Sequence, residues 1–193
     1  IDGDKQLAAN KALVEGLENY YDRRHGYRGA TANFPQELYA DQTGDANTAW
    51  IGELQLVPVH GNQHPAIVTA LDDLSFEAVL KSGEAIKVDW DGISWAYKFN
   101  SRNDAWPPPQ VAADAVQVGD LIRVKNTDGA WQLGQIPDIQ GALVSMSPTN
   151  GEIIALVGGY DFRRSQVNRV ITPRPPGSNF KPFLYGTALE QGY

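Results

Sequence analysis

A series of short β-type runs separated by turn sequences extends from about residue 50 to residue 137, and it limits the possible folds more than any other feature. The pattern predicts strands at residues 51–59, 66–71, 74–80, 84–90, 120–125 and 131–136. Turns are predicted at residues 81–83 and 126–129, and a short helix at 111–116. Five or six strands of this length with one short helix are typical of a small β-barrel of the OB type. A small β-sandwich would show much the same pattern.

Helical periodicity precedes the β-rich part of the chain. It predicts an amphipathic helix over residues 4–21, with Asp2 or Asp4 at its start and Gly26 just beyond its basic end. The predicted apolar stripe consists of Leu7, Leu13, Val14, Leu17, Tyr20 and Tyr21. Residues 29–48 are polar and rich in Ala, Gly, Asp, Gln and Thr, which favours a linker. This part is therefore expected to be a helix followed by a loop.

The last part of the chain changes pattern again. Two apolar runs at residues 141–147 and 152–158, joined by an Asn-Gly turn, predict a β-hairpin. A Pro-rich loop then leads to a segment whose apolar side chains share one helical face, so we expect a buried helix there. That face consists of Phe180, Phe183, Leu184, Thr187 and Ala188. The sequence thus predicts an α+β multidomain fold divided into residues 1–48, 49–137 and 138–193.

Charge and residue content limit the kinds of partner. The net charge of -7 argues against a nucleic-acid surface, which needs clustered Lys and Arg. The chain has no cysteine, so disulfides and thiolate metal sites are excluded. His60 and His64 have the spacing of a helical metal pair, but Gly61 and Pro65 disfavour a helix, so we expect a surface loop and no metal or other cofactor. The five tryptophans are expected to pack in the β domain, with a carbohydrate-binding platform as the alternative.

A serine and a lysine three residues apart, Ser178 and Lys181, carry the strongest indication of chemistry. If Ser178 begins a helix, Lys181 lies one turn later on the same face, with its amine within reach of the hydroxyl. A buried lysine can act as a base, and serine needs such a partner to become a nucleophile. This S-x-x-K spacing occurs in serine acyl-transfer enzymes. About one chance match is expected in a chain of this length, but the Pro-rich loop and apolar helix around the pair favour a nucleophile.

Longer stretches around this pair resemble one enzyme family. Residues 174–185 (Arg-Pro-Pro-Gly-Ser-Asn-Phe-Lys-Pro-Phe-Leu-Tyr) closely resemble the nucleophile motif of class A penicillin-binding proteins, the bifunctional enzymes of bacterial cell-wall synthesis. Residues 141–145 and 151–159 are similar to the first hairpin of their transpeptidase domain, and residues 168–169 to the pair before the nucleophile loop. Residues 23–29 resemble the segment that links the glycosyltransferase and transpeptidase halves in Gram-negative members. The β-rich middle resembles the OB-type insert of the same members, so the resemblance covers almost the whole chain.

The resemblance implies a fold and an activity. The fold is a small OB-like β-barrel followed by the N-terminal part of a penicillin-binding transpeptidase domain, namely its β-hairpin and nucleophile helix. Ser178 would attack the penultimate D-alanine carbonyl of a peptidoglycan stem peptide, with Lys181 taking its proton. The acyl-enzyme would then pass to an amino group of a neighbouring stem, and β-lactam antibiotics would acylate the same serine. No cofactor is implied, and the site would work at the periplasmic face of the bacterial inner membrane.

Part of the family pattern does not follow the serine. The S-x-N and K-[ST]-G motifs do not occur after Lys181, and their matches at residues 101–103 and 81–83 stand in the wrong order within the β domain. We expect neither match to be catalytic. The chain is expected to be an internal piece of a longer enzyme, inactive alone, whose remaining transpeptidase residues belong to another chain. The alternative is a non-catalytic role in which residues 50–137 bind a periplasmic regulatory protein or a glycan.

Overall fold

The computed structural model describes residues 1–38, 46–101 and 104–193. Helix α1 covers Gly3–Glu15, helix α2 covers Ala46–Gln55 and helix α3 covers Lys181–Glu190. The strands are β1 (Ala32–Asn33), β2 (His64–Asp72), β3 (Ser75–Leu80), β4 (Ala85–Asp89), β5 (Phe99–Ser101), β6 (Asp104–Ala105), β7 (Asp120–Thr127), β8 (Ala130–Gly134), β9 (Leu143–Met146) and β10 (Ile153–Val157).

An antiparallel sheet forms the centre of the structure. Its strand order is β1-β7-β2-β3-β4, and β8 pairs with β7 outside this path. Side chains alternate across the sheet, so in β4 Ile86 and Val88 are buried while Lys87 is exposed. The predicted strands at 66–71, 74–80, 84–90, 120–125 and 131–136 are confirmed as β2, β3, β4, β7 and β8. The α+β fold with an OB-like β domain is therefore confirmed.

Helix α2 replaces the strand predicted at residues 51–59, and that prediction is wrong. Ala46, Trp50 and Leu54 recur every four residues and are 6%, 1% and 0% exposed. They pack against Ile67 and Val79 on the outer side of the sheet. The apolar residues after Trp50 suggest a strand by composition, but the four-residue spacing of the buried side chains is that of a helix.

The polar segment before α2 contributes to the sheet. Ala32 and Asn33 form the edge strand β1, which pairs with β7 opposite Leu121 and Asp120. Asn33 Nδ2 donates to Asp120 Oδ1 at 2.8 Å, which fixes this edge. Residues 39–45 of the predicted linker lie outside the described residues.

The N-terminal helix departs from regular α-helical geometry after α1. Of the two predicted caps, Asp2 caps its start by accepting the Lys5 N–H at 3.0 Å. A π-helical turn over Gly16–Asp22 and a 3-10 turn over Arg23–His25 then continue the chain. A π turn bonds each residue to the fifth along, so it changes which side chains face the body of the protein.

The predicted apolar stripe is therefore only partly right. Leu17 is buried, but Leu7 and Tyr20 are 69% and 73% exposed. Glu18 and Asp22, which a regular amphipathic helix would direct to solvent, are 4% and 2% exposed instead. Two carboxylates consequently lie in the interior.

Helix α1 packs against the hairpin of β9 and β10, at the other end of the sequence. Ala9 lies against Ala155 and Val157 of β10. Gln6 acts as a short strand partner, because its side-chain amide donates to the Leu156 carbonyl at 2.9 Å and accepts the Leu156 N–H at 3.0 Å. The hairpin predicted at 141–147 and 152–158 is confirmed.

Helix α3 is exposed, so the expectation of a buried helix is wrong for this structure. Phe183, Leu184 and Leu189 are 68%, 59% and 72% exposed. The helix forms with Pro182 near its start, where a missing N–H removes no helical bond. Among the described residues, nothing covers the apolar face of α3, which therefore faces solvent.

Candidate functional site

Ser178 and Lys181 lie one turn apart at the start of α3. Ser178 is in the 3-10 turn Gly177–Phe180, and the Lys181 N–H donates to the Ser178 carbonyl. Side chains three residues apart in a 3-10 turn lie above one another, so the hydroxyl and the amine leave the same side of the chain. Gly177 has a φ of 50°, in the left-handed region that glycine adopts most easily.

The pair is exposed, and it is not joined in this structure. Both side chains are solvent-exposed. Within residues 1–38, 46–101 and 104–193, no hydrogen bond connects Ser178 Oγ with Lys181 Nζ. A lysine that serves as a base for serine must lie within hydrogen-bond reach of it, directly or through one water, and burial lowers the pKa of its amine towards that of a base. In the described residues, Ser178 and Lys181 have the spacing that this chemistry needs, but the Lys181 amine is exposed to solvent.

The loop that delivers Ser178 is anchored on the end of β10. Arg169 N–H donates to the Gly158 carbonyl at 3.0 Å. Asn168 organises the turn that follows, because its Oδ1 accepts the Val170 N–H at 3.1 Å and its carbonyl accepts the Thr172 hydroxyl at 2.9 Å. The loop therefore starts from a defined point beside the hairpin.

The earlier motif match at residues 81–83 lies in a turn, as its composition predicted. Residues 81–83 form the turn between β3 and β4, where Gly83 has a φ of 86°. Lys81 Nζ donates to the Gln55 carbonyl at 2.7 Å and to the Val57 carbonyl at 3.3 Å, which satisfies the C-terminal end of α2. The match at 101–103 lies outside the described residues at positions 102 and 103.

A buried ionic cluster was missed by sequence reasoning. Lys125 Nζ donates to Glu18 Oε2 at 3.0 Å, and the Tyr160 hydroxyl donates to Glu18 Oε1 at 2.6 Å. The three side chains lie far apart in the sequence. No local signal identified the cluster, because Lys125 lies on the face of β7 opposite the core residues Ile122 and Val124, where a lysine is expected to meet solvent.

A second ion pair, which is partly buried, involves the same segment after α1. Arg28 donates to both oxygens of Asp22, at 2.6 and 3.1 Å, and to the Ile136 carbonyl at 2.6 Å. Burial raises the pKa of Asp22 above its ordinary value, although the Arg28 guanidinium acts in the opposite direction. The segment after α1 is thus fastened to the end of the β domain by charged groups.

The described histidines and four of the five tryptophans lie in structural surroundings, but Trp106 is 56% exposed, so the expectation that it packs is wrong. His60 Nδ1 lies 3.4 Å from Asp161 Oδ2 in a loop. The described residues contain no group of three or more potential metal ligands. The expected packing of the tryptophans is confirmed for Trp50, which is buried, and for three others that lie against the main core. These are Trp90, Trp95 and Trp131. None of the described helices has the length and apolar content needed to cross a bilayer.

Comparison with known families divides the chain into two matched regions. The penicillin-binding protein OB-like domain family matches residues 27–139. The penicillin-binding protein transpeptidase domain family matches residues 141–193, which include Ser178 and Lys181. The boundary between the two matches lies between β8 and β9.

Relatives of known sequence or structure cover the whole chain. Penicillin-binding protein 1A of Pseudomonas aeruginosa is 40% identical over 100% of this chain and 23% of the relative. Penicillin-binding protein 1A of Escherichia coli K12 is 37% identical over 97% of this chain and 22% of the relative. The crystal structure of penicillin-binding protein 1A from Haemophilus influenzae superimposes with a TM-score of 0.76 and 31% identity, over 100% of this chain and 26% of that chain. The chain therefore spans about a quarter of the length of the relatives it matches.

Proposed function

Since the chain belongs to the class A penicillin-binding proteins, we propose that Ser178 is the nucleophile of a peptidoglycan transpeptidase and that Lys181 is its base. The position of Ser178 carries this proposal. It stands in the region matched to the transpeptidase domain, at the start of a helix, with Lys181 one turn away. The anchored loop before it gives the serine a defined location relative to the hairpin.

The proposed reaction is an acyl transfer in two steps. Lys181 accepts the proton of Ser178 as Oγ bonds to the penultimate D-alanine carbonyl of a stem peptide, and the terminal D-alanine leaves with a proton. An amino group of a neighbouring stem then attacks the ester, and Ser178 regains its proton. The Ser178 backbone N–H is suited to the oxyanion because the first N–H groups of a helical segment have no partner within it.

The proposal requires further residues around the pair. The exposed apolar face of α3, with Phe183 and Leu184 at 68% and 59%, is the surface against which the rest of the domain would pack. Such packing would shield Lys181 from water and supply the S-x-N and K-[ST]-G groups. We therefore expect the 193-residue chain alone to have little or no activity.

Whether those residues come from a companion polypeptide can be tested by mass. Intact-mass measurement of a preparation that reacts with penicillin should show a species of 21.1 kDa together with a second polypeptide. A reactive preparation that contains the 21.1 kDa species alone would contradict the need for further residues.

The site of action in this proposal is the periplasmic face of the inner membrane, where stem peptides are exposed. β-Lactam antibiotics would react at Ser178 by ring opening, which adds the whole antibiotic to the serine. A regulatory protein that binds the OB-like domain remains a prediction.

Acylation by a fluorescent penicillin tests the nucleophile. In a polypeptide that joins this chain to the rest of a transpeptidase domain, Ser178→Ala should abolish labelling. Lys181→Ala should slow it by about 10²- to 10⁴-fold, the usual contribution of a general base. Ser82→Ala, in the turn between β3 and β4, is the matched control and should label normally. Labelling that survives in Ser178→Ala would overturn the proposal.

A further inference from the structure

We propose that Glu18, Lys125 and Tyr160 form a buried three-way joint that fixes the orientation of the OB-like domain relative to the loop carrying Ser178. Each residue comes from a different part of the chain. Glu18 lies in the π-helical turn after α1, Lys125 in β7, and Tyr160 just after β10. Their exposed fractions are 4%, 5% and 5%. Only the effect on acylation rests on the proposed function; the orientation does not.

The Glu18 carboxylate is the centre of the joint, and both of its oxygens are used. Tyr160 donates to Oε1 at 2.6 Å and Lys125 donates to Oε2 at 3.0 Å. Lys125 also donates to Asn19 Oδ1 at 2.9 Å. Burial, together with the bond to the Glu18 carboxylate, raises the pKa of Tyr160, so the phenol keeps its proton and remains the donor. The carboxylate is therefore bonded simultaneously to two other parts of the chain.

Because its charged groups are buried, this joint favours one orientation of the OB-like domain. The hydrophobic effect is non-directional, so apolar surfaces can slide over one another at little cost. A charge-assisted hydrogen bond requires a short distance and a favourable angle, and a buried ion without its partner is strongly unfavourable. Rotation of the OB-like domain would separate Lys125 from Glu18 while both remain shielded from water. One orientation is consequently preferred over its neighbours.

Tyr160 is connected to the nucleophile loop through the end of β10. The Gly158 carbonyl accepts the Arg169 N–H at 3.0 Å. A Cβ on Gly158 would lie 2.6 Å from Asn168 Oδ1, so the loop packs directly on the strand end. A displacement of Tyr160 therefore displaces this anchor. The loop that leads to Ser178 starts from it.

The orientation can be measured in the full chain. The chain has no cysteine, so Glu84→Cys on the OB-like domain and Thr149→Cys in the hairpin turn, both exposed, accept a pair of spin labels. We expect one narrow distance distribution in the parent. Lys125→Met and Tyr160→Phe should broaden or shift it at temperatures where circular dichroism shows them folded. Lys87→Met is the matched control, because the ion pair that Lys87 forms with Asp89 is exposed, and it should leave the distribution unchanged.

A double variant separates orientation from stability. Glu18→Gln combined with Lys125→Met removes both charges, so thermal stability should recover relative to Lys125→Met alone. The distance distribution should stay broad, because the bond between Lys125 and Glu18 is gone even though the substituted amide can still accept the Tyr160 hydroxyl. A narrow distribution in the double variant, or in Tyr160→Phe, would show that packing alone sets the orientation and would overturn the joint.

Acylation gives a second and separate measurement. In a polypeptide that also contains the rest of the transpeptidase domain, Tyr160→Phe should slow labelling by a fluorescent penicillin about 10- to 100-fold, as expected for a displaced nucleophile. Labelling at the parental rate would show that Tyr160 does not position Ser178. The proposed function would be unaffected by that result. If Ser178→Ala leaves labelling intact, the proposed function fails, and the distance measurement still decides the joint.

Discussion

The OB-like domain and helix α3 are both rich in apolar side chains, yet they bury them to opposite extents. In the domain, Phe76, Val88 and Leu133 are at most 1% exposed, because strands and turns from several parts of the chain surround them. In α3, Phe183 and Leu189 are 68% and 72% exposed. Both regions are rich in apolar side chains, and what differs between them is how much of the chain surrounds those side chains. An apolar stripe therefore shows that a segment needs a partner, but it does not show where that partner lies.

The two regions should consequently contribute unequally to the stability of this chain. Removal of apolar area from water is the main favourable term in folding, at about 25 cal/mol for each Å² buried. The OB-like domain buries most of its large apolar side chains, while α3 leaves its own in water. Matched substitutions, one in each region, therefore test whether the OB-like domain contributes more to stability than α3 does.

The largest expected difference comes from removing a ring in each region. Phe76→Ala should lower the free energy of unfolding by about 3–5 kcal/mol, because it leaves a cavity in the main core. Phe183→Ala is the matched variant in α3 and should change it by less than about 0.5 kcal/mol. Chemical denaturation of both variants, followed by circular dichroism, measures the two losses. Equal losses of stability would mean that α3 packs as tightly as the core of the OB-like domain, and the difference between the two regions would be disproved.

The fold was largely predictable where the local pattern decides the structure. The strands β2, β3, β4, β7 and β8 and the hairpin of β9 and β10 follow from apolar runs bounded by turns. Helix α2 was missed because Ile51 and Val57 favour a strand by composition, while the spacing of Trp50 and Leu54 decides the outcome. The burial of α3 was not predictable, because it depends on what covers the helix.

The candidate site and its surroundings likewise contain one part that the sequence predicts and one part that it does not. Ser178 and Lys181 are close in sequence, so their spacing could be recognised at once. Only the tertiary structure brings Glu18 to Lys125 and Tyr160, which are 107 and 142 residues away from it in the sequence. A glutamate on an amphipathic helix normally faces solvent, and no local pattern identifies the π-helical turn that buries Glu18. Contacts of this kind require the folded structure.

An intermediate effect is expected from adding a methyl group in each region. A Cβ on Gly92 would lie 2.9 Å from both the Trp131 carbonyl oxygen and Val88 Cγ1, so Gly92→Ala should destabilise the OB-like domain by about 1–3 kcal/mol. Gly186 in α3 has open space around it, so Gly186→Ala should instead favour the helix by up to about 1 kcal/mol. Denaturation measures the first effect, and amide hydrogen exchange in α3 measures the second. Destabilisation by Gly186→Ala would show that α3 is packed against something after all.

The smallest expected effect concerns Asp161, which connects the OB-like domain to the loop that follows β10. Its Oδ2 accepts the Gly61 N–H at 2.7 Å, and its Oδ1 accepts the Arg163 N–H at 2.7 Å. Burial acts to raise the pKa of Asp161, but these donors and the nearby His60 outweigh it and hold the pKa below 3.8. A carboxyl group with a lowered pKa in the folded state stabilises the protein above its ordinary pKa, and this contribution is lost as the pH falls through the lowered value.

The charge of Asp161 can be tested by comparing the parent with Asp161→Asn at two pH values. At about pH 7 the variant should be less stable by under about 1 kcal/mol, as for a contact near the surface. Well below pH 3.8 the parent carboxyl group is protonated too, so the difference in free energy of unfolding should shrink towards zero. Urea denaturation at both pH values measures it. A difference that stays constant would mean that side-chain shape holds this contact, so that the link between the OB-like domain and the loop after β10 does not depend on the charge of Asp161.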